Sequence, residues 1–179
     1  MNVYQKFARI TGILLIIGTA AGIISLSILG SINDPNYLIE ISTKEDQVLL
    51  GSFLQFIMGI ACAGIGISLY PVVKEFSEGL AYGSGGFRII EGMLHIVGAG
   101  ILIVLLVLSQ EFIESGTPGS SYFQSLGVLL LAGRDCVGNF AMLSWCIGAL
   151  MYYSVFYQTR LIPRWLSGWG LAGVALSMI

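Results

Sequence analysis

Arg88, Glu91 and His95 stand in one apolar stretch of the chain, and Arg134, Asp135 and Asn139 stand in another. An ionisable group near the centre of a bilayer costs about 2.5–3.5 kcal/mol on insertion scales, so each of these residues needs a partner or a use. On a helix, Glu91 and His95 are four apart and Arg88 precedes Glu91 by three, which puts all three on one face. Asp135 and Asn139 are likewise four apart. A histidine beside a carboxylate titrates near neutral pH and can relay a proton. The same grouping can hold a polar or ionic ligand, or can do no more than pair two helices while Arg88 reaches out to lipid headgroups. The candidate intramembrane cluster is therefore Glu91, His95, Asp135 and Asn139, with Arg88 and Arg134 as charge partners.

Other chemistry finds little support in these residue types. A single histidine cannot supply a multi-histidine zinc site. Cys62, Cys136 and Cys146 form no CxxC pair and fall in apolar segments, where they read as small buried hydrophobes. Ser144 lies in no G-x-S-x-G elbow, and His95 with Asp135 has no evident nucleophile. Gly83, Ser84, Gly85 and Gly86 lack the lysine of a phosphate-cradling loop and read as a flexible entry to a helix. The sequence assigns no catalytic residue, no metal ligand and no cofactor.

Composition defines the elements that carry the cluster. Of the 179 residues 56% are hydrophobic and 10% charged, with a mean hydropathy of +0.88, more apolar matter than a soluble core can hide. At about 20 residues per crossing, the chain reads as one all-α membrane domain over residues 1–179. Its spans fall at about 8–29, 48–73, 87–108 and 126–156, and a fifth begins near Pro163 and is still apolar at Ile179, as if it continued. Tyr152, Tyr153, Phe156 and Tyr157 look like an interfacial aromatic belt at the end of the fourth span. If the third span ends near Gln110 and the fourth starts near Ser121 of an antiparallel hairpin, His95 and Asp135 lie about 22 and 21 Å from the turn, at one level. Glu91 and Asn139 then match at about 28 and 27 Å.

Charge placement gives an orientation. Lys6 and Arg9, Lys74 and Arg88, and Arg160 and Arg164 flank alternate ends of the spans, and the other loops hold mostly Asp and Glu. The positive-inside rule puts the N-terminus in the cytoplasm. Turns are expected around Asn33, Asp34, Pro35 and Asn36, and around Gly116, Thr117, Pro118 and Gly119. Gly18 with Gly22, Gly59 with Ala63, Cys62 with Gly66, and Gly168 with Ala172 are small residues four apart that let helix backbones approach, within one bundle or across a homo-oligomer. The expected partners are the lipid bilayer, a second copy through such faces and an unknown ligand. No basic block points to nucleic acid.

Three stretches carry a resemblance: A-R-I-T-G-I-L-L-I-I-G-T-A-A-G at 8–22, F-R-I-I-E at 87–91, and Y-Q-T-R-L-I-P-R-W-L-S-G-W-G at 157–170. The chain resembles the bacterial membrane proteins grouped as domain of unknown function family 4386. That resemblance implies a small polytopic bundle of about six helices, a place in the bacterial cytoplasmic membrane, and a match of Arg88 and Glu91 to the family's arginine and acidic positions. It brings no activity, substrate or cofactor with it. The functional expectation is a non-enzymatic envelope, sensor or accessory protein. The alternative is a proton-coupled or small-molecule carrier that uses the cluster between the third and fourth spans.

Overall fold

The structure is a computed structural model that describes residues 3–30, 36–116 and 121–178. It contains helices α1 (Val3–Leu29), α2 (Tyr37–Thr43), α3 (Glu45–Lys74), α4 (Glu78–Glu114), α5 (Ser121–Thr159) and α6 (Arg164–Ser177), and no strand among the described residues. Four of them, α1, α3, α4 and α5, are long and apolar enough to cross a membrane. The protein is an integral membrane helix bundle.

Each of the four full spans expected lies within a helix, and the differences sit at the ends. α4 starts at Glu78 because the Ser77 hydroxyl accepts a hydrogen bond from the Leu80 amide and Glu78 favours the positive end of the helix. The Gly83–Gly86 stretch expected as a flexible entry is therefore helical, with Ser84 and Gly85 buried. At its other end α4 continues four residues beyond Gln110, to Glu114. Short α2 sits where a plain loop was expected, and its Tyr37, Leu38 and Ile41 bury against Val48 and against Leu105, Leu106 and Phe112 of α4. The Tyr37 hydroxyl donates to the Gln124 carbonyl at 3.3 Å, tying α2 to α5. Of the two expected turns, Asn33, Asp34 and Pro35 and then Thr117, Pro118 and Gly119 lie outside the described residues. Gly116 adopts φ +62°, which a glycine reaches without steric cost.

The aromatic end of α5 is only partly a belt. Tyr152 is buried and stacks with Tyr153 and Phe156, while a methyl group placed on Gly170 would lie 2.6 Å from the Tyr153 ring. α6 folds back over these rings, turning at Arg160 with φ +57° and starting after Pro163 at its N-cap. Only Tyr157 stays well exposed, with the Arg164 guanidinium 5.4 Å from its ring centre. At 14 residues α6 is shorter than a crossing helix.

The helices form an arc in which α1 packs on α3, α3 on α4, α4 on α5 and α5 on α6. The tightest joint is between α3 and α4. A methyl group on Gly59 would lie 2.6 Å from the Gly92 carbonyl oxygen, and one on Gly66 would lie 2.8 Å from the Arg88 Cβ and 3.0 Å from the Gly85 carbonyl oxygen. Backbone thus meets backbone at two levels about two turns apart on α3. Gly18 faces Ala61 and Gly22 faces Met58 on the α1–α3 joint, where the Ser25 hydroxyl donates to the Gly51 carbonyl at 2.9 Å and the Thr11 and Ser68 hydroxyls share a bond of 2.8 Å. Three of the four small-residue pairs therefore serve packing within the chain. The fourth, at Gly168, has nothing within 4 Å of an added Cβ.

Gly92→Ala should lower the unfolding free energy in nanodiscs by about 1–3 kcal/mol, the usual range for overpacking. Gly86→Ala, whose new methyl meets open space, should be neutral or mildly stabilising. Equal effects of the two substitutions in a thermal melt would remove the α3–α4 joint as the tight contact.

Candidate functional site

The polar residues of α4 sit at the α3–α4 joint. Arg88 and Glu91 are 6% and 4% exposed, and the Arg88 Nη1 donates to Glu91 Oε2 at 2.7 Å. The pair forms because residues three apart on a helix are neighbours, and it persists because the low dielectric around it makes either charge alone expensive. The Arg88 side chain is turned into the bundle and not out toward lipid. Its stem lies between Gly66 of α3 and Gly148 of α5, about 15 Å of helix from the start of α4. The snorkelling reading of Arg88 is corrected on that ground: Gly66 and Gly148 leave room for its side chain inside the bundle.

The other oxygen of the carboxylate turns the opposite way. Glu91 Oε1 is 4.0 Å from His95 Nε2, one turn further along. Cys62 reaches the same place from α3. Ligand atoms of Cys62, Glu91 and His95 lie within 4.8 Å of one another. The Arg88 Nε is buried and has no hydrogen-bond partner, a costly state for a donor on a charged group.

The partners expected on α5 stand apart from this knot. Asp135 and Asn139 are exposed and Arg134 is half-buried, and they line a cavity of about 540 Å³ together with His95 and Gln55. Among the described residues no ion pair joins Asp135 or Arg134 to the α4 group. His95 is the residue common to both sets. The hairpin register also differs from the expected one. Ser84 and Phe87 pack on Gly148, and Gly83 packs on Met151. That puts Asn139, rather than Asp135, about level with His95. The four extra residues of α4 beyond Gln110 lengthen one limb by about 6 Å, which accounts for the one-turn slip.

A larger cavity, of about 1070 Å³, runs between α1 and α5 over a floor made by α3 and α4. Its walls are mainly apolar, with Leu15, Ile23 and Ile65 on one side and Met142, Trp145, Phe156 and Trp169 on the other. Cys62, Arg88, Glu91 and His95 form its polar floor. Gly22, Leu26, Met58, His95 and Gly138 line both cavities, so the two adjoin.

Cys62 is the member that the sequence did not offer. Its place four residues before Gly66 marks it as facing a close neighbour, and only the α3–α4 register identifies that neighbour as Glu91. Cys146 is buried as expected. Cys136 is exposed on α5, which corrects its reading as a buried hydrophobe: it lies in a stretch where Asp135, Gly138, Asn139 and Phe140 are exposed as well.

Replacing Arg88 with Met should destabilise the protein by about 3–5 kcal/mol by leaving the Glu91 carboxylate buried without its cation. The double substitution Arg88→Met with Glu91→Gln should recover most of that loss. A double-mutant cycle with no coupling would mean that the pair is not formed in the bilayer.

The family described as domain of unknown function DUF4386 matches residues 10–179, and the chain belongs to that family. No curated protein and no solved structure matches the chain.

Proposed function

We propose that this protein is a non-enzymatic component of the bacterial cytoplasmic membrane, its N-terminus in the cytoplasm, that holds an amphiphile in the cavity between α1 and α5. The observation that carries this reading is the combination of long apolar walls with a polar floor that contains the Arg88 guanidinium, Glu91 and His95. Hydrocarbon against Leu15, Ile23, Met142 and Trp145 and an acceptor oxygen beside the Arg88 guanidinium would match both at once. The occupant is thus an amphiphile with an oxygen acceptor at its head. A sensor or accessory role follows if occupancy changes how the bundle meets a partner.

Trp145 and Trp169 line the cavity, so occupancy is readable. In a Trp165→Phe background, a brominated fatty acid in nanodiscs should quench tryptophan fluorescence saturably, and the unbrominated acid should reverse it. Arg88→Lys keeps the charge and removes the planar guanidinium donors, and should weaken the effect about 5–10-fold. Quenching that rises linearly with bromolipid, unaltered by Arg88→Lys, would sink the reading.

A carrier is the second reading, favoured by one observation: His95, Asp135 and Asn139 line a common cavity that adjoins the larger one. Ionisable side chains along a cavity at membrane depth suit proton movement. Proteoliposomes should then take up protons in a manner lost in Asp135→Asn. Equal uptake by the native and substituted chains would discard it.

A further inference from the structure

We infer that Cys62, Glu91 and His95 bind one divalent transition-metal ion of the zinc class, at the floor of the cavity. Thiolate, carboxylate and imidazole are the three ligand types zinc takes, and three protein ligands with a fourth position open is the pattern of sites that exchange a ligand. The ligand atoms lie within 4.8 Å of one another. Bonds of about 2.0–2.3 Å in a tetrahedron set donors about 3.3–3.8 Å apart, so closure takes shifts of about 1 Å or less at side-chain termini.

The surroundings fit this assignment at three points. Arg88 holds Glu91 Oε2 at 2.7 Å and so leaves Oε1 directed toward His95, which fixes the carboxylate as an outer-shell partner does in metal sites. Cys62 and Glu91 are buried and His95 is half-buried, and all three line the cavity that would supply the fourth ligand. Cys62 comes from α3 and the other two from α4, so the ion would clamp the joint where Gly59 meets Gly92. Binding releases the Cys62 thiol proton. Arg88 offsets Glu91, so the dication with its thiolate leaves a single positive charge, which hydroxide or an anionic oxygen in the fourth position cancels. The site does not depend on an amphiphile in the cavity.

Cobalt(II) is the probe, added to the metal-stripped full-length protein in nanodiscs carrying Cys136→Ser to remove the exposed thiol. The expected result is a thiolate-to-cobalt charge-transfer band that saturates at about one ion per chain. Zinc should displace it, Cys62→Ser should abolish it, and His95→Gln should weaken binding at least about tenfold. If Cys62→Ser fails to fold, the unsubstituted protein still decides. Zinc should slow alkylation of Cys62, mapped by mass spectrometry, at least about tenfold, and a chelator should restore the rate. Absence of the band, survival of the band in folded Cys62→Ser, or alkylation indifferent to zinc would each overturn the inference.

Discussion

Contact between the backbones of α3 and α4 is the constraint on which the other features depend. Lipid offers helices little hydrophobic reason to associate, so close packing over small residues must supply the attraction. Gly59 against Gly92 and Gly66 against Gly85 let the two axes approach without a side chain between them. That approach brings Cys62 within reach of Glu91 and His95, and it encloses the Arg88–Glu91 pair. A methyl group on Gly59, Gly92 or Gly66 would press the helices apart and loosen the burial that makes the pair strong.

The ion pair in turn accounts for the polar floor of the large cavity. A buried arginine and glutamate are poor stabilisers compared with apolar residues of the same volume, because desolvation consumes most of their attraction. Their presence at a joint that glycine packing already secures argues for a use beyond holding α3 to α4. The orphaned Arg88 Nε, and the Cys62 and His95 side chains gathered around Glu91, point to what that use involves: polar groups beyond those that the pair itself needs.

How much of this was legible in the sequence differed from residue to residue. Four crossing helices were visible because runs of about 20 apolar residues admit no other structure in lipid. The pairing of Arg88 with Glu91, and the proximity of Glu91 to His95, followed from spacings of three and four on one helix. α2 was not legible, since its few residues cannot form a helix without α4 and Val48 to pack on. Nor was the α4–α5 register, because a helix that runs four residues past Gln110 leaves no mark in composition. Cys62 escaped for a related reason: its neighbours belong to another helix, and periodicity along one helix carries no information about the level of the next. The glycines at 83–86 misled because the same residue that loosens a loop permits close packing in a helix.

The arc of helices has a mechanical consequence. α1 is joined to the bundle through α3, and α5 through α4, so the two walls of the large cavity hang from opposite ends of the arc. Among the described residues the extensive helix contacts follow this order and do not join α1 to α5. The α1–α3 seam of Gly18 and Gly22 against Ala61 and Met58 therefore sets the distance between the walls. The width of the cavity is then set by a seam of small residues, whereas its chemistry is set by four side chains at the α3–α4 joint.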